Sequence, residues 1–133
     1  MGVTYHWDDD KHTIMIAEYA GTWTLEDYYD SYDAMVAELN ALDHPAIIIC
    51  DFGQSGTPPA KLFSTRRYTE NNDSHNFERL IMVNPGTFLS ALMKVSIRFM
   101  PRFGQKLMVA TDMDDARARA ADLLAEARDR DMR

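Results

Sequence analysis

Cysteine occurs once in this chain of 133 residues, as Cys50. A single cysteine cannot close an intramolecular disulfide, and its place inside an apolar run marks Cys50 as a core residue rather than a reactive thiol. A reducing, cytoplasmic setting is expected on that ground. His6, His12, His44 and His75 are scattered, and with one cysteine they fit no zinc spacing, so no metal site is expected. Apolar runs long enough for a membrane span are missing, and Met1 to Trp7 has neither the basic start nor the apolar centre of a signal peptide, so integral membrane association is not expected. Glycine and proline number only 6 and 5, and no Gly-x-Gly-x-x-Gly, Walker loop or Gly-x-Ser-x-Gly is present. Asp8-Asp9-Asp10 lacks the spaced ligands of a calcium loop and reads as a solvated hairpin turn. No cofactor and no enzymatic chemistry are expected.

Basic residues are nearly absent from the first half. Residues 1–60 carry eleven acids and one base, residues 61–111 eight bases and three acids, and residues 112–133 five bases and seven acids, giving −10, +5 and −2 within a net charge of −7. An acidic chain lacks the clustered cations that phosphate neutralisation requires, so nucleic-acid binding is not expected. The segregation is either complementary within one fold or serves docking to another molecule.

A hydrophobic content of 46% with 26% charged residues is that of a globular chain, and its length suits one domain over 1–133. Thr4 to Asp8 and His12 to Tyr19 read as two strands paired in a hairpin, with Ile14 and Ile16 on one face. Gly21 breaks the second strand. Thr24 then caps a helix to about Leu42, in which Leu25, Tyr28, Tyr32, Met35, Val36, Leu39 and Leu42 recur at helical spacing. The apolar run Ala46 to Asp51 reads as a strand buried on both faces, followed by a loop at 52–59 and a helix from Pro59 to about Glu70. Phe77 to Val83 is the next strand, Thr87 to about Met100 a helix stopped by Pro101, and Lys106 to Ala110 a last strand. Thr111 or Asp112 caps a final helix to about Arg130, with Ala116, Ala120, Leu123, Leu124 and Ala127 inward. The expected fold is α/β, a single mixed sheet of about five strands with about four helices, opening on an antiparallel hairpin and continuing by β-α crossovers.

This element order, covering nearly the whole chain, resembles the STAS-like (SpoIIAA-like) domains. More specifically, it resembles a bacterial branch of small single-domain proteins in which an aromatic start, here Tyr5-His6-Trp7-Asp8, precedes a Gly-x-Trp-Thr-x-x-Asp segment, here Gly21 to Asp27. In that branch a strand ending in Asp leads to a Pro-containing loop, as Ile49-Cys50-Asp51 and Pro58-Pro59 do. A late Thr-x-x-x-Ala opens the last helix there; here Asp112-Met113-Asp114-Asp115-Ala116 stands in that place, directly after Thr111. None of these motifs is catalytic. Antagonist-type STAS domains are switched by phosphorylation in an Asp-Ser-Ser-Gly segment; this chain reads Gln54-Ser55-Gly56-Thr57-Pro58 there and lacks the acid and the serine pair.

Candidate site residues follow from the carboxyl end of the central strand, where open α/β sheets bind ligands. Ser55, Gly56 and Thr57 precede an expected helix start whose free N–H groups suit a phosphate, while the same residue types also serve plain caps and turns. Asp51 is placed either to position a ligand or to hold the loop's own N–H groups. Arg98, Arg102 and Phe103 belong to a basic, apolar stretch from Phe88 to Lys106 whose apolar side is core or the rim of a binding surface. Two readings result. One is a regulatory or protein-interaction module whose partner, another protein or a second copy, docks at the loop after the central strand. The other is a carrier or sensor of a small apolar or lipid-like ligand held between sheet and helices.

Overall fold

A computed structural model describes residues 2–56, 59, 77–86, 90, 91, 94, 98 and 106–131 of the chain. The described elements are β1 (Val3–Trp7), β2 (Ile14–Gly21), α1 (Leu25–Asn40), β3 (Ala46–Ser55), β4 (Phe77–Val83), β5 (Leu107–Ala110) and α2 (Met113–Asp131). The five strands form one sheet in the order β1-β2-β3-β4-β5. β1 pairs antiparallel with β2, and β2 through β5 are parallel, so the expected mixed sheet with an antiparallel hairpin at its start is present.

Alternation along the strands sorts two cores. Met15, Ala17 and Tyr19 of β2, with Ile48, Cys50 and Phe52 of β3, face α1 and meet its Tyr32, Met35 and Leu39. Ile16, Ile47, Ile49, Ile81 and Val83 point to the opposite face and meet Ala116, Ala120 and Leu124 of α2. The run from Ala46 to Cys50 is buried throughout because β3 is central and covered on both sides. The small-residue stripe of α2 lets its backbone approach the sheet, which a stripe of leucines would prevent.

Local chemistry fixes the ends. Thr24 and Asp27 form a capping box: the Asp27 N–H donates to Thr24 Oγ1 and the Thr24 N–H to Asp27 Oδ2, each at 3.0 Å. At the start of α2 the cap is Asp112, whose Oδ1 accepts the Asp115 N–H at 2.8 Å, while Thr111 donates its own N–H to Asp115. The hairpin turn is organised by Asp9, whose carboxylate accepts the N–H groups of Thr13 and Ile14 and the Thr13 hydroxyl. His12 takes the left-handed conformation there, with φ of 56°, and stacks on Trp7 with ring centroids 4.5 Å apart. Asp8-Asp9-Asp10 is thus a turn whose middle carboxylate is consumed by backbone donors.

Three expectations need correction. About four helices were expected, and the described residues contain two. The expected helix at 59–70 lies outside the described residues but for Pro59, and of 87–100 only Ser90, Ala91, Lys94 and Arg98 are described. The second strand begins at Ile14, not His12, because the Asp9-centred turn holds His12 and Thr13. The central strand runs on to Ser55, four residues beyond Asp51, because Phe52 continues the apolar alternation and Gln54 and Ser55 pair with Ala20 and Gly21 across a register shift in β2. Residues 52–55 are therefore strand, not loop.

Candidate functional site

Parallel pairing brings the carboxyl ends of β2, β3 and β4 to one end of the sheet, where Asp51, Ser55 and Gly56 follow one another along the last part of β3 and just beyond it. Ser55 closes β3 opposite Gly21, and the Gly56 N–H donates to the Gly21 carbonyl at 2.8 Å. Gly21 has φ of 58°, a left-handed conformation in which a side chain would be strained, and this lets the chain leave β2 toward Trp23. The Trp23 indole Nε1–H donates to Ser55 Oγ at 2.8 Å, and the Ser55 hydroxyl donates in turn to the Gly56 carbonyl at 2.9 Å. Ser55 is thus a strand-end residue whose hydroxyl links β3 to the segment opening α1, while the helix start expected after it lies outside the described residues.

Asp51 accepts the Gly53 N–H on Oδ1 at 2.9 Å, a local turn-holding bond and one of the two roles expected for it. Gly53 lies between that carboxylate and Asn84 at the end of β4. A Cβ at position 53 would stand 3.1 Å from Asp51 Oδ1 and 3.4 Å from Asn84 Nδ2. Thr57, Arg102 and Phe103 lie outside the described residues. Arg98 is exposed and engaged in an interaction of its own. The structure therefore brings Ser55 and Gly56 together with Gly21 and Trp23, and sets Asp51 beside Gly53 and Asn84 a few residues earlier along the same strand. Trp23 is the residue that reading the sequence for chemistry passes over. Its signal was Gly21-Thr22-Trp23-Thr24, an indole placed between a strand break and a helix cap.

Beneath this rim lies an aromatic floor. Tyr19 stacks on Phe52 at 4.4 Å and meets Trp23 edge-on at 4.9 Å, while Tyr28 and Tyr32 of α1 stack at 5.8 Å. Burial pushes the Tyr19 hydroxyl well above its ordinary value, with the neighbouring Cys50 and Tyr28 acting in the same direction. Burial likewise pushes the Cys50 thiol up to about 12, a rise reinforced by the Asp51 charge and only partly offset by a hydrogen bond with Tyr19. Both groups are neutral at physiological pH, so Cys50 supplies no thiolate. The Ser55 hydroxyl gives its proton to a backbone carbonyl rather than to a base, an arrangement that orients the side chain without activating it as a nucleophile.

An open cleft of about 510 Å³ lies beyond the end of β4, with Gly86, Ser90, Ala91 and Lys94 among its lining residues. Among the described residues no group of three or more His, Cys, Asp or Glu side chains could hold a metal ion, and no helix is long and apolar enough to cross a membrane. No family model, no curated protein and no solved structure matches this chain.

Proposed function

We propose that the chain is a regulatory or protein-interaction module that docks a partner at the carboxyl ends of β2, β3 and β4. The observation that carries this reading is the way the rim is held. Asp51, Ser55 and Gly56 are each fixed by an internal hydrogen bond, and Gln54 and Gly53 are presented exposed between them. Polar groups pinned in this manner lose little conformational freedom on binding, which favours a preformed recognition surface. The hairpin followed by parallel strands is in keeping with the STAS-like resemblance, and the single buried thiol suits a reducing compartment such as the cytoplasm.

A second reading, a carrier of a small apolar or lipid-like ligand, draws on the cleft near Gly86 and Lys94, where an ammonium group stands beside the opening. One experiment separates the two. A photo-crosslinking residue placed at exposed Gln54 is compared in cells with the same residue at exposed Asp122 on α2. The docking reading expects a discrete protein adduct from position 54 and none from 122. Equal adducts from both positions, or none from 54, would sink it. A small molecule that leaves the purified chain only on denaturation, seen by mass spectrometry, would establish the carrier instead.

A further inference from the structure

Among the described residues, β1 is an edge strand with no strand paired to its outer side. In an antiparallel pair, residues alternate between those exchanging hydrogen bonds with the partner strand and those pointing N–H and C=O away from it. The Asp8 N–H donates to the Ile14 carbonyl at 2.8 Å and the Ala20 N–H to the Gly2 carbonyl at 2.7 Å, so the even-numbered residues of β1 face β2. Val3, Tyr5 and Trp7 therefore direct their backbone groups outward, and among the described residues none pairs with them. Natural sheets guard such edges with charged residues, proline, bulges or a covering element. Val3-Thr4-Tyr5-His6-Trp7 contains no Lys, Arg, Asp, Glu or Pro, consists largely of strong strand formers, and pairs with β2 without a bulge.

Charge identifies the occupant. α1 leads from the end of β2 to the start of β3 and so runs in the direction of β1, on which it packs. It turns Glu38 toward that strand: Glu38 Oε1 accepts the Trp7 indole N–H at 3.1 Å, and the nearby Glu38 carboxylate, with burial adding to it, holds the Tyr5 phenol above its ordinary pKa. Asp27, Asp30, Ala34 and Glu38 follow one another at steps of three or four, so they form one row along this flank of the helix. Asp10 stands exposed at the far end of the strand, and Glu18 lies on the other face beside His6. The one base in the first sixty residues is Lys11. A second copy joined through this edge would bring two acidic rows together, and like charges across an interface are costly.

We infer that the β1 edge is a strand-addition site for an extended, basic segment of a partner protein. Main-chain hydrogen bonds to Val3, Tyr5 and Trp7 supply the docking, and Lys or Arg side chains of the added strand meet the Asp30 and Glu38 row. The site is separate from the rim at Ser55, and it stands or falls independently of the function proposed above.

The test titrates the full chain with an end-capped peptide of alternating valine and lysine. Binding is followed by calorimetry and by hydrogen exchange at the amides of Val3, Tyr5 and Trp7. Three further peptides are used: one N-methylated at the lysines, one N-methylated at the valines, and one with glutamate for lysine. Strand addition expects binding with protection of those three amides, at least tenfold weaker binding for the glutamate peptide, and the same loss for at least one N-methylated peptide. Asp30→Lys, a change at an exposed position, should weaken binding at least threefold. The inference is overturned if the valine-lysine peptide does not bind, if both N-methylated peptides bind like their parent, or if the glutamate peptide binds as well. It is overturned equally if the edge amides of the chain alone become protected as its concentration rises, since a second copy would then occupy the edge.

Discussion

Asp9 shows how one side chain can decide a turn. Partial burial by itself would raise its pKa, but the Thr13 hydroxyl and the backbone N–H groups of Ile14 and Thr13 outweigh that and hold the carboxyl below its ordinary value. A depressed pKa in the folded state means that the ionised form stabilises the fold, so the contribution is complete above the unfolded-state value near 4 and is lost as pH falls through the lower folded value. Asp9→Asn is expected to cost about 1 kcal/mol at pH 7, the scale of hydrogen bonds to a charged acceptor that become neutral. Urea midpoints of the two proteins should converge between pH 5 and pH 3. A gap that stays constant across that range would show that the charge is not what the turn uses. Ser55 belongs to the same scale with a different lesson: its type and its neighbours fitted a phosphate-binding loop or a plain junction, and its geometry makes it the anchor of an indole. That indole lies 32 positions away in sequence, so no local pattern could have separated the roles.

At the scale of elements, legibility followed the packing. The central strand, the hairpin and the first and last helices were readable because each carries an apolar pattern whose period matches the surface it meets, 2 on the sheet and 3.6 on the helices. The far end of β3 was not readable, because Asp51-Phe52-Gly53-Gln54-Ser55 has the composition of a loop. It becomes strand only through non-local pairing with Ala20 and Gly21. The last helix illustrates the converse. Ala116, Ala120 and Ala127 are almost completely buried although alanine has little apolar surface to bury, which means that α2 is seated by close approach rather than by large side chains. Ala120→Leu should therefore act as overpacking and destabilise by about 1–3 kcal/mol, whereas the same change at exposed Ala125 should be neutral within about 0.5 kcal/mol. Thermal melts of the two variants check this, and equal melting temperatures would mean that the interface has room to spare.

The whole molecule is held together by contacts between its sequence extremes as well as by the sheet. Arg117 of α2 forms a two-pronged pair with Asp8 at the end of β1, Nε to Oδ2 at 2.9 Å and an Nη to Oδ1 at 3.1 Å, and Arg130 reaches Glu78 of β4 at 2.7 Å. The first of these pairs ties the acidic first half to an arginine of the last helix, so a small part of the charge segregation is answered inside the fold. Their worth is bounded by exposure. The Arg117 side chain is 45% accessible and that of Asp8 21%, which sets the pair among partly screened surface bridges, although its fork geometry favours the upper part of that range. A double-mutant cycle of Asp8→Ala and Arg117→Ala should return a coupling of about 0.5–1 kcal/mol in dilute buffer, falling by half or more in roughly 0.5 M salt as screening shortens its reach. Coupling that survives salt undiminished would mean that packing of the Arg117 stem, not its charge, joins the hairpin to the helix. In that event the acidity of the first half would be left to act outward, toward whatever meets the β1 edge.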